Sequence, residues 1–228
     1  MNQIIGIIGA ERVGKDTLAD YVVEKYGFKK YNFATPIKQI ANIIFPHWDS
    51  ADLDKDVIDQ QTKIKPRDFY KWLGTDICQI EMFKQFPALL QYIKPRSTWS
   101  HLMTHTVQNS TDNWIIPDVR FIHEADAIIA LGGILINVTS TSTSTSTQST
   151  YEIDQILTNY YNIHNIHNPM TTKSEYYENI ENALKKLIKL PSISAGAIGQ
   201  LPQETQYDVL SNSICSDYTG TSNMSLFI

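Results

Sequence analysis

The stretch Ile4-Ile5-Gly6-Ile7-Ile8-Gly9-Ala10-Glu11-Arg12-Val13-Gly14-Lys15-Asp16-Thr17 decides how the rest of the chain is read. Residues 3–8 are a short apolar, β-branched run that stops at a glycine, the pattern of a buried strand. From residue 15 to 26, Leu18, Tyr21, Val22 and Tyr26 recur at helical spacing, and Gly27 supplies a C-terminal stop. Between strand and helix stands G-x-x-x-x-G-K with a hydroxyl residue two places on. Gly9 and Gly14 let backbone N–H groups converge on anionic oxygens. The helix start adds partial positive charge, and Lys15 can reach the β/γ-phosphate oxygens of a nucleotide. Ser or Thr directly after the lysine is the usual magnesium ligand of such a loop. Here that place is Asp16, with Thr17 one residue later and better aimed at an α-phosphate. Magnesium would then be held through water, with Asp16 as an outer partner.

Working outward, residues 29–33 read as a second strand and 36–45 as a helix with Pro36 in its first turn and Ile37, Ile40, Ala41 and Ile44 on one face. Five aspartates between Asp49 and Asp59 read as a solvated segment. Residues 69–83 and 98–107 read as helices, 114–116 as a strand closing at Pro117-Asp118, 125–131 as a helix, 134–138 and 160–166 as strands. A last helix spans 174–190, with Tyr177, Ile180, Leu184, Leu187 and Ile188 turned inward. Strands alternating with helices predict an α/β, three-layer fold of the phosphate-loop NTPase type, a five-stranded parallel sheet flanked by helices. Residues 46–113 separate two strands by far more than a crossover needs, and should form a helical lobe beside the sheet. Residues 139–150 are Ser or Thr everywhere except Gln148 and read as a flexible insert. Residues 191–228 lack Lys and Arg and read as an extended or disordered tail after a folded domain of residues 1–190.

The 228 residues carry a net charge of −5 and only two cysteines, Cys78 and Cys215. A disulfide scaffold is excluded and a reducing, cytoplasmic compartment is expected. The longest apolar run, residues 128–136, is about half a membrane span. The first residues lack the basic start of a signal peptide. Neither a membrane protein nor a binder of nucleic acid polymers is indicated.

Four further stretches line up with the loop. They are Phe33-Ala34-Thr35-Pro36-Ile37-Lys38, Arg67-Asp68-Phe69-Tyr70-Lys71-Trp72-Leu73-Gly74-Thr75-Asp76, Trp99, and Asp118-Val119-Arg120-Phe121-Ile122-His123-Glu124-Ala125. Together with Gly14-Lys15-Asp16-Thr17, they resemble the deoxynucleoside monophosphate kinases of bacteriophages and large DNA viruses, from about residue 4 to 190. The resemblance implies transfer of the γ-phosphoryl of ATP, with Mg²⁺, to a deoxynucleoside 5′-monophosphate in the cytoplasm of a host cell. Small nucleotides are its implied partners, and a homodimer is left open. It implies Lys15, Arg12 and Asp118 as catalytic groups and Gly9, Arg12, Gly14, Lys15, Asp16 and Thr17 as the ATP loop. Lys38, Arg67, Gly74, Asp76, Trp99, Arg120 and Glu124 would serve the acceptor, and Asp16 and Asp118 would hold the metal through water.

The residues fit that chemistry in their own right, since phosphoryl transfer asks for cations that position two anions. Each also has a plainer reading. Lys38 could be a solvated lysine, Arg67 an ion pair with Asp68 or a neighbouring aspartate, and Asp118 a turn residue. Glu124 could hold a sugar or base edge, or cap a helix. Tyr70, Trp72 and Trp99 could stack on a base or fill a core. His101 and His105 lie one helical turn apart, and a metal there would need a third ligand. The chain departs from the family in two places. Thr139 stands where an arginine usually follows the fourth strand, and no arginine follows Arg120, leaving Arg12 as the substitute cation. His123 replaces an asparagine. Two rivals follow: another small kinase, of phosphomevalonate or dephospho-coenzyme-A type, and a nucleotide-binding protein that has lost catalysis.

Overall fold

A computed structural model of the chain describes residues 2–141 and 148–187. Five strands, β1 (Ile4–Ile8), β2 (Lys29–Lys30), β3 (Trp114–Ile116), β4 (Ile134–Ser140) and β5 (Ile163–Asn168), form one sheet in the order β2-β3-β1-β4-β5. Every pairing is parallel, with Ile5 opposite Ile115 on one side and Ile134 on the other. Period-two alternation divides the sheet's side chains between two cores. Ile4, Ile8, Trp114, Ile116 and Leu135 face one layer of helices, and Ile5, Ile7, Ile115, Ile136 and Val138 the other. The first layer contains α5 (Thr98–Gln108), α6 (Ile122–Ala130) and α7 (Gln148–Asn159), through Met103, Ala125, Ile128 and Ile156. The second contains α1 (Lys15–Tyr26) and α8 (Lys173–Leu187), through Leu18, Val22, Tyr176, Ile180 and Leu184. The C-terminal ends of β1 and β3 carry the phosphate loop and Asp118, where ligands gather in open parallel sheets.

The lobe between β2 and β3 is helical. It contains α2 (Thr35–Ile44), a 3₁₀ turn (Pro46–Trp48), α3 (Pro66–Lys71), α4 (Met82–Gln85), a second 3₁₀ turn (Pro87–Gln91) and α5. Residues 72–81, between α3 and α4, are wound as a π-helix, with i→i+5 bonding. π-Helical turns gather at functional sites.

Several local expectations are corrected. β2 is only two residues long; the Tyr31 N–H still bonds the Ile115 carbonyl at 2.9 Å, and the side chains of Tyr31 and Phe33 pack in the core. In α2 only Ala41 is buried, while Ile43 and Ile44 are 80% and 53% exposed. The apolar face of α2 is covered in part, Ala41 fully and Ile37 against the core, while Ile40 and Ile44 are 36% and 53% exposed. Thr139 and Ser140 belong to β4, where backbone pairing with His167 and Asn168 needs no apolar side chain. A helix, α7, follows where no element was expected, anchored by buried Ile153 and Ile156. In α8 the buried aromatic is Tyr176, and Tyr177 is half-buried, stacked on Tyr21. The rest of the Ser/Thr insert, residues 142–147, lies outside the described residues, as do Ile188 and the tail 191–228.

Candidate active site

The loop between β1 and α1 has the backbone its glycines permit. Gly9 and Gly14 have φ of 146° and 102°, and a Cβ on Gly9 would lie 2.5 Å from the carbonyl oxygen of Val138. Both positions are strained for any other residue. Arg12, also left-handed at φ 64°, is exposed. Lys15 folds back onto the loop, Nζ donating to the carbonyls of Gly9 at 2.8 Å and Ala10 at 2.5 Å. Burial lowers its pKa, as does the nearby Arg120 cation, against the opposing pull of Asp16, Glu11 and Asp118. Lys15, Asp16, Asp118 and Arg120 therefore share one electrostatic neighbourhood.

Asp118 follows β3, and its Oδ2 accepts the backbone N–H of Phe33 at 3.1 Å. Burial pushes this carboxyl up to about 6; Arg120 and the Phe33 N–H pull it down, and Asp16 adds to the rise. Asp16 itself is exposed and lies 3.4 Å from Lys30 Nζ. Thr17 is half-buried in the first turn of α1.

Glu124 is 5% exposed, and its Oε2 accepts the backbone N–H of Arg120 at 2.7 Å and of Phe121 at 3.1 Å. It is the cap of α6 and not a free ligand for a sugar or base. Burial pushes its carboxyl up to about 8 despite the two donors. Arg120 is exposed on the turn that this cap fixes.

The acceptor-side expectations divide. Lys38 lines a cleft of about 620 Å³ with Asn42, Trp48, Asp49, Lys55 and Tyr70. Arg67 gives both prongs of its guanidinium to Asp56, one of them Nη2 at 2.7 Å from Oδ2. The partner is Asp56 and not the adjacent Asp68, because the turn brings Arg67 N–H onto the Lys55 carbonyl at 2.9 Å. Trp99 is 7% exposed and donates its indole N–H to the Gly74 carbonyl at 2.8 Å. Its ring is core, which corrects the stacking role. Gly74 is buried in the π segment, where an added Cβ would lie 2.6 Å from Ile37 Cδ1, so its contact is with α2. Asp76 is exposed on the same segment, and Trp72 is 48% exposed. His101 and His105 are exposed, and no group of three metal-ligating side chains occurs among the described residues. Sequence reading missed Asn168 and Tyr176, which touch the loop from β5 and α8.

A parallel sheet of this order, with a phosphate loop after its first strand and helices on both faces, defines the chain as an α/β protein of the phosphate-loop NTPase type. The deoxynucleotide monophosphate kinase family matches residues 3–69. A protein of Acanthamoeba polyphaga mimivirus, itself provisionally assigned as a deoxynucleotide monophosphate kinase, is 29% identical over 140 residues, 59% of this chain and 72% of the relative. Among solved structures, a dephospho-CoA kinase from Campylobacter jejuni aligns with a TM-score of 0.44 and 16% identity, covering 82% of this chain and 97% of its own. A gluconokinase from Sinorhizobium meliloti aligns at 0.39 and 10%, covering 82% and 93%. Both sequence matches are to deoxynucleotide monophosphate kinases, and they support a likeness of this chain to nucleotide kinases. Among the described residues, no helix is long and apolar enough to cross a membrane.

Proposed function

We propose that the chain transfers the γ-phosphoryl group of ATP to a deoxynucleoside 5′-monophosphate. The observation that carries this reading is the gathering of Lys15, Asp118 and Arg120 around the loop of residues 9–17. In the reaction an oxygen of the acceptor's 5′-phosphate forms a bond to the γ-phosphorus. The bond from that phosphorus to the β–γ bridging oxygen breaks, and ADP leaves with the electron pair. Catalysis of such a step is chiefly positioning and charge neutralisation.

The loop's N–H groups and Lys15 would hold the polyphosphate. On binding, Lys15 would exchange its bonds to the Gly9 and Ala10 carbonyls for phosphate oxygens, which raises its affinity for the proton again. Arg120, held by the Glu124 cap, and Lys38, on the lobe cleft, would take the acceptor's phosphate. Arg12, exposed on the loop, would face the transferred group. Magnesium, a hard cation that takes oxygen ligands, would fit the two carboxylates at the loop, Asp16 exposed after Lys15 and Asp118 at the end of β3. When bound, it would neutralise phosphate charge, with Asp16 and Asp118 holding it through water.

The test is ADP release by the purified chain with ATP, magnesium and each of the eight common ribo- and deoxyribonucleoside monophosphates. Turnover with deoxynucleotides and little with a nucleoside lacking the 5′-phosphate is expected. Thermal stabilisation by ATP without ADP release from any acceptor would make the chain a binder and not a kinase.

A further inference from the structure

β5 ends at Asn168 and α8 begins at Lys173, on the far side of the phosphate loop from Asp118 and Arg120. Two side chains from this corner grip the loop's backbone. Asn168 Nδ2 donates to the carbonyl of Val13 at 2.9 Å, and the hydroxyl of Tyr176 donates to the carbonyl of Gly14 at 3.1 Å. Both are buried, at 8% and 2% exposure. Asn168 is fixed in turn, its Oδ1 accepting the N–H of Met170 at 3.0 Å, and Met170 is itself left-handed at φ 61°. The fit is tight. A Cβ on Gly14 would stand 2.5 Å from Asn168 Nδ2 and 3.1 Å from Tyr176 Cε1.

In a planar trans peptide the C=O and the following N–H point in opposite directions. Fixing the Val13 carbonyl therefore fixes the Gly14 N–H, and fixing the Gly14 carbonyl fixes the Lys15 N–H. The Val13 carbonyl is drawn towards Asn168, and the Gly14 carbonyl, which also accepts the N–H of Leu18 at 3.0 Å in the first turn of α1, is held a second time by Tyr176, so both N–H groups are turned to the opposite side of the loop. An anion at a helix N-terminus is held by N–H groups of this kind, and preorganising them removes the cost of turning them when it binds. The geometry points to Asn168 and Tyr176 as positioning residues that preset the phosphate loop for a polyphosphate chain without touching the nucleotide. This rests on the phosphate-loop reading above.

The experiment is titration of inorganic tripolyphosphate into the full chain by calorimetry, beside the unfolding midpoint of each protein. Tyr176→Phe removes one hydroxyl and keeps the ring; Asn168→Leu keeps the branched outline in a larger side chain and removes both the donor to Val13 and the acceptor of the Met170 N–H. Each is expected to weaken tripolyphosphate by about threefold to tenfold, the worth of one neutral hydrogen bond. The double variant is expected to lose less than the product of the two, because both bonds hold adjacent peptides. In turnover, the KM for ATP is expected to rise while that for the acceptor stays. Folded variants that bind tripolyphosphate like the natural chain would overturn the proposal, leaving the two side chains a structural tie. If Asn168→Leu does not fold, Tyr176→Phe alone decides. A natural chain that binds no tripolyphosphate would overturn the phosphate-loop reading and the clamp with it, whereas a chain that binds it but phosphorylates no nucleotide would leave the clamp standing.

Discussion

The buried carboxylate of Glu124 takes the backbone N–H of Arg120 at 2.7 Å, and so anchors the exposed cation that stands beside the phosphate loop. Burial of this carboxyl has a pH signature, because it outweighs the two N–H donors that favour the charged form. The carboxyl titrates at about 8 in the folded chain against an ordinary value of 4.5. The folded state therefore binds the proton more tightly than the unfolded one. Its contribution to stability is fully present below pH 4.5 and is lost as pH rises through 8. Asp118, raised to about 6, acts in the same sense at lower pH. Between pH 6 and 8 the slope belongs mainly to Glu124 and approaches about 1.4 kcal/mol per pH unit. Glu124→Gln should flatten it. Denaturant unfolding at several pH values checks this, and an unchanged slope in the variant would refute the assignment.

Lys15 donates to its own loop and faces no apolar core. Lys15→Ala should leave the unfolding midpoint nearly unchanged and abolish turnover. Retention of activity within about tenfold, roughly 1.4 kcal/mol of barrier, would remove Lys15 from the chemistry.

Trp99 supplies a choice between two readings of one side chain. Its indole N–H on the Gly74 carbonyl and its buried ring predict that Trp99→Phe costs about 0.5–1.5 kcal/mol of stability, with the acceptor KM little changed. A stable variant with a sharply raised acceptor KM would restore the stacking role.

How far these outcomes could be read from sequence depends on how local each cause is. The loop of residues 9–17 was legible because strand, glycines and helix start act on one another within a few residues. The Glu124 cap was half legible, since a carboxylate three places into a helix fits both a cap and a ligand, and only burial separates them. Trp99 and Arg67 were not separable, because each is decided by a partner distant along the chain or across a turn, Gly74 in one case and Asp56 in the other. The apolar period of α2 was legible as a period, but how much of that face is covered was not, since nothing in residues 36–45 says which side the sheet lies on. Asn168 and Tyr176 left no local signal, their partners lying more than 150 residues away.

Lys38 and Arg120 are the cations assigned to the acceptor's phosphate, one on the lobe cleft and one on the turn after β3. A charged hydrogen bond to phosphate is worth about 1.5–3 kcal/mol, so Lys38→Ala and Arg120→Ala should each weaken acceptor binding by that amount. Lys38 stands on the lobe, and its loss should leave ATP affinity unchanged. Arg120 lies near enough to Lys15 to lower its pKa. Its removal takes one positive charge from the neighbourhood of the loop but relieves Lys15 of a like charge, so ATP binding should weaken less than acceptor binding. Arg67 offers a control, because its guanidinium is engaged by Asp56 in an exposed pair that solvent screens. Phosphate could displace that partner, and Asp56→Ala should then tighten acceptor binding if Arg67 belongs to the site. Separate calorimetric titrations of ATP and of a deoxynucleoside monophosphate on each variant distinguish these cases. Equal losses for both ligands would move Lys38 and Arg120 to the donor side, and unaltered acceptor binding would remove them from the site.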